Sequence, residues 1–184
     1  IEKGEDVEIE GRIIKGDLNL RKAGLKKDKD DKVLVTSSIK IQNSEIQGVV
    51  NFRNVIFKNI NFEDVVFKEP ICFDGSTFHS AKFQGAKFCK YAGFEDTVFG
   101  SYGQFSHVQF MGETNFTNVQ FIEGADASFF ETKFEGDTFF WSKGNGTTIF
   151  EGDVNFGHAD FYKTVTFHGA LLFFFQNGFT QRPM

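Results

Sequence analysis

Residues 51–122 read NFRNVIFKNINFEDVVFKEPICFDGSTFHSAKFQGAKFCKYAGFEDTVFGSYGQFSHVQFMGETNFTNVQFI. A phenylalanine marks every fifth or sixth residue, at Phe52, Phe57, Phe62, Phe67, Phe73, Phe78, Phe83, Phe88, Phe94, Phe99, Phe105, Phe110, Phe116 and Phe121. A five-residue step fits neither regular element, because it advances about 500° around an α-helix and alternates between the faces of a straight strand. The chain can bury all these rings together only if it turns at each unit and coils around them as a solenoid.

A second inward position accompanies each ring. Two residues before each centre stands a small or β-branched residue: Val50, Val55, Ile60, Val65, Ile71, Ser76, Ala81, Ala86, Ala92, Thr97, Gly103, Val108, Thr114 and Val119. Residues two apart in an extended chain share a face, so we expect these side chains to point inward with the phenylalanines. The remaining positions, such as Glu63 and Asp64, are mostly polar and are predicted to face water.

The six-residue steps indicate how many sides each coil has. The long step from Phe67 to Phe73 recurs from Phe88 to Phe94, four centres later. An extra residue is most easily placed at a corner, so the same corner returns after four units. The sequence therefore predicts an all-β, four-sided solenoid of about seven coils with a stacked phenylalanine core. Coils about 4.8 Å apart would bring the rings to a good stacking distance.

The repeat unit resembles that of a known family. Units such as Ala81-Lys82-Phe83-Gln84-Gly85 and Val50-Asn51-Phe52-Arg53-Asn54 are similar to those of pentapeptide-repeat proteins, in which a small residue precedes Leu or Phe and two polar residues follow. The resemblance is unbroken over residues 49–121 and looser over most of the rest. It implies a right-handed quadrilateral β-helix and a homodimer contact at the C-terminal end. The chain departs from the family pattern in its near-exclusive use of Phe and its many six-residue steps.

The whole chain, residues 1–184, is interpreted as one repeat domain. Residues 1–48 continue the rhythm with the aliphatic centres Ile9, Ile14, Leu20, Leu25, Val35, Ile41 and Ile46, interrupted by a charged loop at 26–32. Residues 122–175 resume the phenylalanine centres after insertions at 122–128 and 141–147, with Phe139 or Phe140 filling one centre. Residues 176–184 form a tail. Pro70 is expected at a long corner, where its missing N–H harms the ladder least.

Charge and cysteine content limit the functions considered. The net charge is −5, and residues 93–184 hold 4 Lys and Arg against 11 Asp and Glu, whereas residues 1–92 hold 16 against 14. Such an acidic half disfavours direct nucleic-acid binding.

Cys72 and Cys89 are expected as free thiols in a reducing compartment, with a disulfide as the less favoured alternative. No signal peptide is visible and residues 170–175, the longest apolar run, cannot span a bilayer. We therefore predict a cytoplasmic protein without a membrane segment, although the chain begins at Ile1, so a targeting segment or an anchor in a longer protein stays open.

No nucleophile, phosphate-loop or zinc motif is present, so the sequence predicts no enzyme and no cofactor. One weak metal candidate arises when the chain is wound onto four sides. His107, Glu131 and His158 each stand two residues beyond a centre that would stack on the same wall, so they would form an outward column. Two imidazoles and a carboxylate can bind a metal. The preferred interpretation is an exposed polar ladder.

Candidate interaction residues are aromatic. Trp141 is the only tryptophan and either packs back on the wall or serves as an exposed anchor. Phe174, Phe175 and Phe179 in the C-terminal segment either cap the last coil or contact a second copy.

The sequence thus predicts a non-enzymatic scaffold whose rigid walls bind an unknown protein partner. One alternative, taken from the resemblance, is a DNA mimic that binds a gyrase-type topoisomerase. The other is a metal-dependent site at His107, Glu131 and His158.

Overall fold

The computed structural model describes residues 4–122, 124–176 and 180–181, with side chains through Leu172. Every strand pairing is parallel except an isolated antiparallel bridge between Lys27 and Val33. Over the described residues there is no α-helix, and a short 3-10 helix spans Leu20–Lys22. The predicted all-β parallel solenoid is confirmed.

The coil has four walls, which we number by the phenylalanines that line them from inside. Wall 1 holds Phe57, Phe78, Phe99, Phe121 and Phe150; wall 2 holds Phe62, Phe83, Phe105, Phe129 and Phe156; wall 3 holds Phe67, Phe88, Phe110, Phe134 and Phe161; wall 4 holds Phe52, Phe73, Phe94, Phe116, Phe140 and Phe167.

Walls 1 and 2 share one nine-stranded sheet, because most of its strands bend around the corner between them. Its strands are Val7–Glu10, Val33–Gln42, Val55–Asn61, Thr77–Lys82, Val98–Gln104, Gln120–Phe121, Asp126–Ser128, Ile149–Asn155 and Leu171–Gln176. Gln120–Phe121 and Asp126–Ser128 are two pieces of one coil separated by residues 122–125, and both pair with Val98–Gln104. The predicted insertion at 122–128 is therefore shorter, because residues 126–128 form a strand of the wall.

Walls 3 and 4 are sheets of two-residue strands. Wall 3 comprises Ile13–Ile14, Glu45–Ile46, Val66–Phe67, Lys87–Phe88, Gln109–Phe110, Lys133–Phe134, Asp160–Phe161 and Thr180–Gln181. Wall 4 comprises Leu18–Asn19, Val50–Asn51, Ile71–Cys72, Ala92–Gly93, Thr114–Asn115, Thr138–Phe139 and Val165–Thr166. The seven strands of wall 4 are separated by six turns of the chain, close to the predicted seven coils.

The corner between walls 3 and 4 has a six-residue step throughout the phenylalanine coils. Phe67 and Phe73, Phe88 and Phe94, and Phe110 and Phe116 all stand six residues apart across it. Pro70 lies at this corner, as predicted, and its carbonyl accepts a hydrogen bond from the Val50 N–H at 3.0 Å. Backbones approach closely here, since a Cβ at Gly136 would lie 2.2 Å from the Gly112 carbonyl oxygen.

The buried rings of the predicted stacked core form four ladders, one on each wall. Rings stacked on one wall have centroids 4.5 to 5.3 Å apart, as for Phe99 and Phe121 or Phe73 and Phe94, which matches the predicted spacing. Rings on opposite walls meet edge to face, as Phe94 of wall 4 and Phe105 of wall 2 do at 5.5 Å and 88°. Both arrangements are favourable for aromatic quadrupoles. All fourteen predicted centres from Phe52 to Phe121 are buried.

The N-terminal coils continue the same core with aliphatic residues, as predicted. Leu20, Val35, Ile41 and Ile46 are buried, while Ile9, Ile14 and Leu25 are partly buried against the core. The charged loop at 26–32 is compact. Asp31 pairs with Lys27 at 2.6 Å and with Arg21 at 2.8 Å, and these partners hold the pKa of the Asp31 carboxyl below its usual value.

The second insertion differs from the prediction. Trp141 and Ser142 belong to the regular coil, because the Asn118 N–H donates to the Trp141 carbonyl at 2.9 Å and the Ser142 N–H to the His168 carbonyl at 2.8 Å. Only the turn that follows projects, closed by a bond from the Gly146 N–H to the Lys143 carbonyl at 3.1 Å. Phe140 fills the centre and is buried, and Phe139 points outward.

Candidate functional site

The His107, Glu131 and His158 column exists, and the backbone explains its position. A β-turn joins walls 2 and 3 in each coil, and its third residue has a positive φ: 59° at His107, 54° at Glu131 and 56° at His158. Glycine, Asn or Asp usually occupies such left-handed positions, as Gly85 and Asp64 do in the preceding coils. The three predicted residues therefore occupy equivalent turns of successive coils.

Two members of this column are in contact. His107 Nδ1 lies 3.2 Å from Glu131 Oε2, and both side chains are about half exposed. Phe130 presents its ring to both histidines, edge to face, at centroid distances of 5.9 Å from His107 and 5.5 Å from His158. Among the residues that the structure describes, no three His, Cys, Asp or Glu side chains are arranged to hold a metal ion. The metal-dependent alternative receives no support from this geometry.

A polar network on the outside of wall 4 was not predicted. The Tyr91 ring folds over Gly93, where an added Cβ would lie 2.8 Å from Tyr91 Cε1. Asp74 accepts a hydrogen bond from Arg53 Nε at 3.0 Å and another from the Glu95 N–H at 3.2 Å. Burial, together with the nearby Asp74 carboxylate, raises the pKa of Tyr91 to about 12. The sequence feature that could have indicated this network is Gly93, the one glycine among the two-residue strands of wall 4.

Both cysteines are free, as the sequence analysis expected. Cys72 lies beside this network on wall 4, where burial and the Asp74 carboxylate raise the pKa of its thiol. Cys89 lies beyond Phe88 on wall 3. A raised pKa keeps a thiol protonated and weakly nucleophilic at neutral pH. Cys72 is thus a poor candidate for a catalytic nucleophile.

Trp141 is both packed and accessible. Its indole ring rests on the outward ring of Phe139 with centroids 5.5 Å apart, yet 36% of the residue stays exposed. The two rings stand side by side on wall 4 of one coil, and the wall's hydrogen bonds fix the Trp141 backbone. Of the two predicted placements, the structure therefore combines packing on the wall with exposure.

The C-terminal candidates cannot be placed in this site. The backbone of Phe174 and Phe175 pairs with Asp153 and Val154, but their side chains and the whole of Phe179 lie outside the described residues. Their role as a cap or a dimer contact stays a prediction.

A strip of outward apolar residues on wall 1 was missed by the sequence analysis. It contains Leu34, Ile56, Val98, Ile149 and Leu171, each immediately before the wall 1 centre of its coil. The corresponding positions of wall 2 hold polar residues, such as Lys82 and Gln104. Writing out the residue before every fourth centre would have revealed this strip.

These features define the protein as a four-sided parallel β-solenoid with flat walls and a phenylalanine core. Over the described residues no helix is long and apolar enough to cross a membrane. In comparisons with known proteins, no family model matches the chain, and no curated protein or solved structure does. The function therefore has to be argued from the surface itself.

Proposed function

We propose that this protein is a non-enzymatic scaffold that binds a partner protein on wall 4, with Trp141 as the anchor. The observation that carries the proposal is the exposure of Trp141 on a rigid wall. Tryptophan is enriched among the few residues that dominate binding energy in protein interfaces, especially where flanking residues exclude water. Phe139 beneath it widens the apolar contact area.

Rigidity supplies the mechanism. Binding costs free energy when side chains or loops must be ordered at the interface. Here the Trp141 carbonyl accepts hydrogen bonds from the Asn118 N–H at 2.9 Å and from Thr148 Oγ1 at 2.8 Å. The backbone of Trp141 is therefore held by hydrogen bonds from its own coil and the preceding one, and the indole packs on Phe139. A partner would lose little free energy in ordering this surface.

Charge indicates the kind of partner. Residues 93–184 carry 11 Asp and Glu against 4 Lys and Arg. Glu113 and Asp137 lie at the wall 3–wall 4 corner that borders the aromatic pair. Opposite charge on a partner speeds association and selects against acidic competitors. A basic protein surface that presents an apolar or cationic side chain to Trp141 fits this wall, since an indole face also attracts cations.

The single tryptophan makes the proposal directly testable. We expect a photo-crosslinking residue in place of Glu113, beside the intact aromatic pair, to capture a partner from cell extract, and the purified partner to shift the Trp141 fluorescence of the wild-type protein to shorter wavelength on titration. Trp141→Ala should abolish binding without changing the circular dichroism. Tyr162→Ala is the matched control, because Tyr162 is a similarly exposed aromatic residue, at 41%, on wall 3. Equal binding by both variants, or no partner that depends on Trp141, would overturn the proposal.

We also infer that the chain is a divergent pentapeptide-repeat protein. The five-residue rhythm, the small residue two positions before each ring and the four walls support this relationship. The right-handed sense that the resemblance implies stays a prediction with it. The two free cysteines fit a reducing compartment such as the cytoplasm.

Only the acidic charge of the C-terminal half supports the DNA-mimic alternative. The N-terminal half is slightly basic, and its carboxylates include Glu45 and Asp74, which form ion pairs with Lys68 and Arg53. A mimic of duplex DNA needs continuous negative charge at the spacing of phosphates. Absence of inhibition in a gyrase supercoiling assay at micromolar protein would remove this alternative.

A further inference from the structure

The residue types along the apolar strip on wall 1 follow a regular order. Strand pairing places its seven outward positions in one line along the solenoid axis: Leu34, Ile56, Thr77, Val98, Gln120, Ile149 and Leu171. Read from either end, the line has Leu first, Ile second, a polar residue third and Val98 in the middle. The line is thus nearly palindromic about Val98.

We propose that wall 1 is a self-association surface on which a second copy of the chain packs antiparallel. The two-fold axis passes through Val98, lies in the plane of wall 1 and runs perpendicular to the solenoid axis. It reverses the order of the strip residues in the second copy relative to the first. Leu34 then faces Leu171 of the partner subunit, and Ile56 faces Ile149 of the partner subunit. Such an isologous contact closes after two copies.

The residues beside the line agree with this arrangement. The position two residues further along each strand is exposed Lys58 in the Ile56 coil and exposed Glu151 in the Ile149 coil. The same two-fold axis sets Lys58 opposite Glu151 of the partner subunit, twice. Gly100 occupies the equivalent position in the Val98 coil, at the axis, where it faces Gly100 of the partner subunit. Because glycine has no side chain, the two backbones can approach closely there.

The distribution of charge over the whole chain points the same way. Antiparallel packing places the slightly basic residues 1–92 against the acidic residues 93–184 of the second copy, whereas parallel packing would set like against like. Lys32 extends along wall 1, with its Nζ 3.4 Å from Thr77 Oγ1. Its ammonium group therefore lies on the face that would meet the acidic half of the second copy.

The area of the strip sets the strength of the contact. Six coil steps of about 4.8 Å give a strip about 29 Å long. With a width of about 15 Å, each copy would contribute roughly 430 Å², about half of the ~800 Å² per partner of a typical stable complex. The dimer is therefore weak and forms only as protein concentration rises. Leu171 lies at one end of the strip and is 49% exposed, so this end would bury the most apolar surface in the dimer.

Sedimentation velocity over a micromolar to millimolar concentration series tests the proposal. The wild-type protein is expected to shift from monomer to dimer within this range. Val98→Lys should weaken dimerisation at least tenfold, because it sets two like charges against each other at the axis. Val66→Lys is the matched control, since Val66 is the equivalent half-buried outward valine on wall 3, and it should leave the dimer unchanged.

A charge exchange separates an interface effect from a folding defect. Lys58→Glu and Glu151→Lys should each weaken the dimer, and the double variant should restore it, because both charge pairs are re-formed with reversed sign. Trp141→Ala should have no effect on the dimer, which keeps this test independent of the binding proposed on wall 4. A protein that is monomeric throughout, a dimer that survives Val98→Lys, or a double variant that is not restored would each overturn the proposal.

Discussion

Phenylalanine suits the centre of each unit because its flat ring matches the spacing between coils. Stacked rings on one wall lie 4.5 to 5.3 Å apart, and the tilted pairs Phe52–Phe73 and Phe62–Phe83 lie 5.9 Å apart. Rings therefore contact their neighbours along the wall while their edges meet the faces of rings on another wall. Large rings leave little room for the second inward residue. On wall 2 this residue changes from Ile60 to Ala81, Gly103, Ala127 and Val154 in successive coils. The narrowest point of that series is Gly103.

Gly103→Val is expected to destabilise the protein by about 1–3 kcal/mol, the usual cost of overpacking a filled core. A Cβ at Gly103 would lie 2.5 Å from Phe121 Cε1 and 3.2 Å from Phe105 Cε2, and both rings are fully buried. Gly100→Ala is the control, because its Cβ would come no closer than 3.7 Å to the Phe78 carbonyl oxygen. Urea denaturation measures both variants, and equal midpoints would show that the core can yield at Gly103.

At the scale of the element, each wall ends in a turn or corner that its own side chains complete. The turn after wall 4 is closed by a hydrogen bond from the Ser76 N–H to the Phe73 carbonyl at 2.9 Å. Ser76 Oγ also donates to the Phe52 carbonyl of the preceding coil at 2.6 Å, so the buried hydroxyl has a partner. Polar residues can therefore occupy some inward positions without the cost of an unsatisfied group.

The Tyr91 network on wall 4 predicts a specific alkaline titration. Burial and Asp74 raise the Tyr91 pKa from 10.0 to about 12. Between these values the unfolded chain loses its phenolic proton first, so it binds fewer protons than the folded chain and stability falls as pH rises. Below pH 10 both states keep the proton and this contribution stays constant.

Tyrosinate absorbance of the folded protein measures the effect. Tyr91→Phe should remove a component that titrates near pH 12, whereas Tyr162→Phe should leave that component in place. Asp74→Asn should move the Tyr91 midpoint downward, because it removes a negative charge that disfavours the phenolate. A titration curve that is the same in the Tyr91→Phe and Tyr162→Phe variants would contradict the assignment.

At the scale of the whole molecule, a solenoid is stabilised mainly by contacts between neighbouring coils. Among the described residues, the strand Val7–Glu10 of the first coil pairs with one neighbouring strand, Val33–Gln42, and Ile9, Ile14 and Leu18 of that coil are partly buried. The middle coils have buried rings on all four walls. Local opening is therefore expected to begin at the N-terminal coil.

Hydrogen exchange followed by mass spectrometry can test this gradient. The strands Val7–Glu10, Ile13–Ile14 and Leu18–Asn19 should exchange faster than Ile71–Cys72 and Ala92–Gly93. A single uniform exchange rate along the chain would show that the solenoid opens only as a whole. A slow N-terminal coil would show that aliphatic stacking stabilises a coil as well as phenylalanine does.

The spacing of residues along the chain is enough to predict the architecture. A ring at every fifth or sixth residue with a small residue two before it admits only a chain that turns at each unit, and the recurrence of the long step at Phe67 and Phe88 fixed the number of walls. It also placed His107, Glu131 and His158 in one column. These results follow from local spacing, because every coil repeats the same five-residue geometry.

Which residues become neighbours on the surface could be read only from the three-dimensional fold. Winding about 21 residues into each coil brings together positions such as Ile56 and Val98, which are 42 apart in sequence, so the wall 1 strip depends on the register of every coil. The placement of Trp141 and Ser142 on the coil rather than in the insertion likewise depended on the hydrogen bonds of Trp141 with Asn118 and of Ser142 with His168. The periodic core specifies which residues lie inside, whereas pairing between coils specifies which outside residues become neighbours.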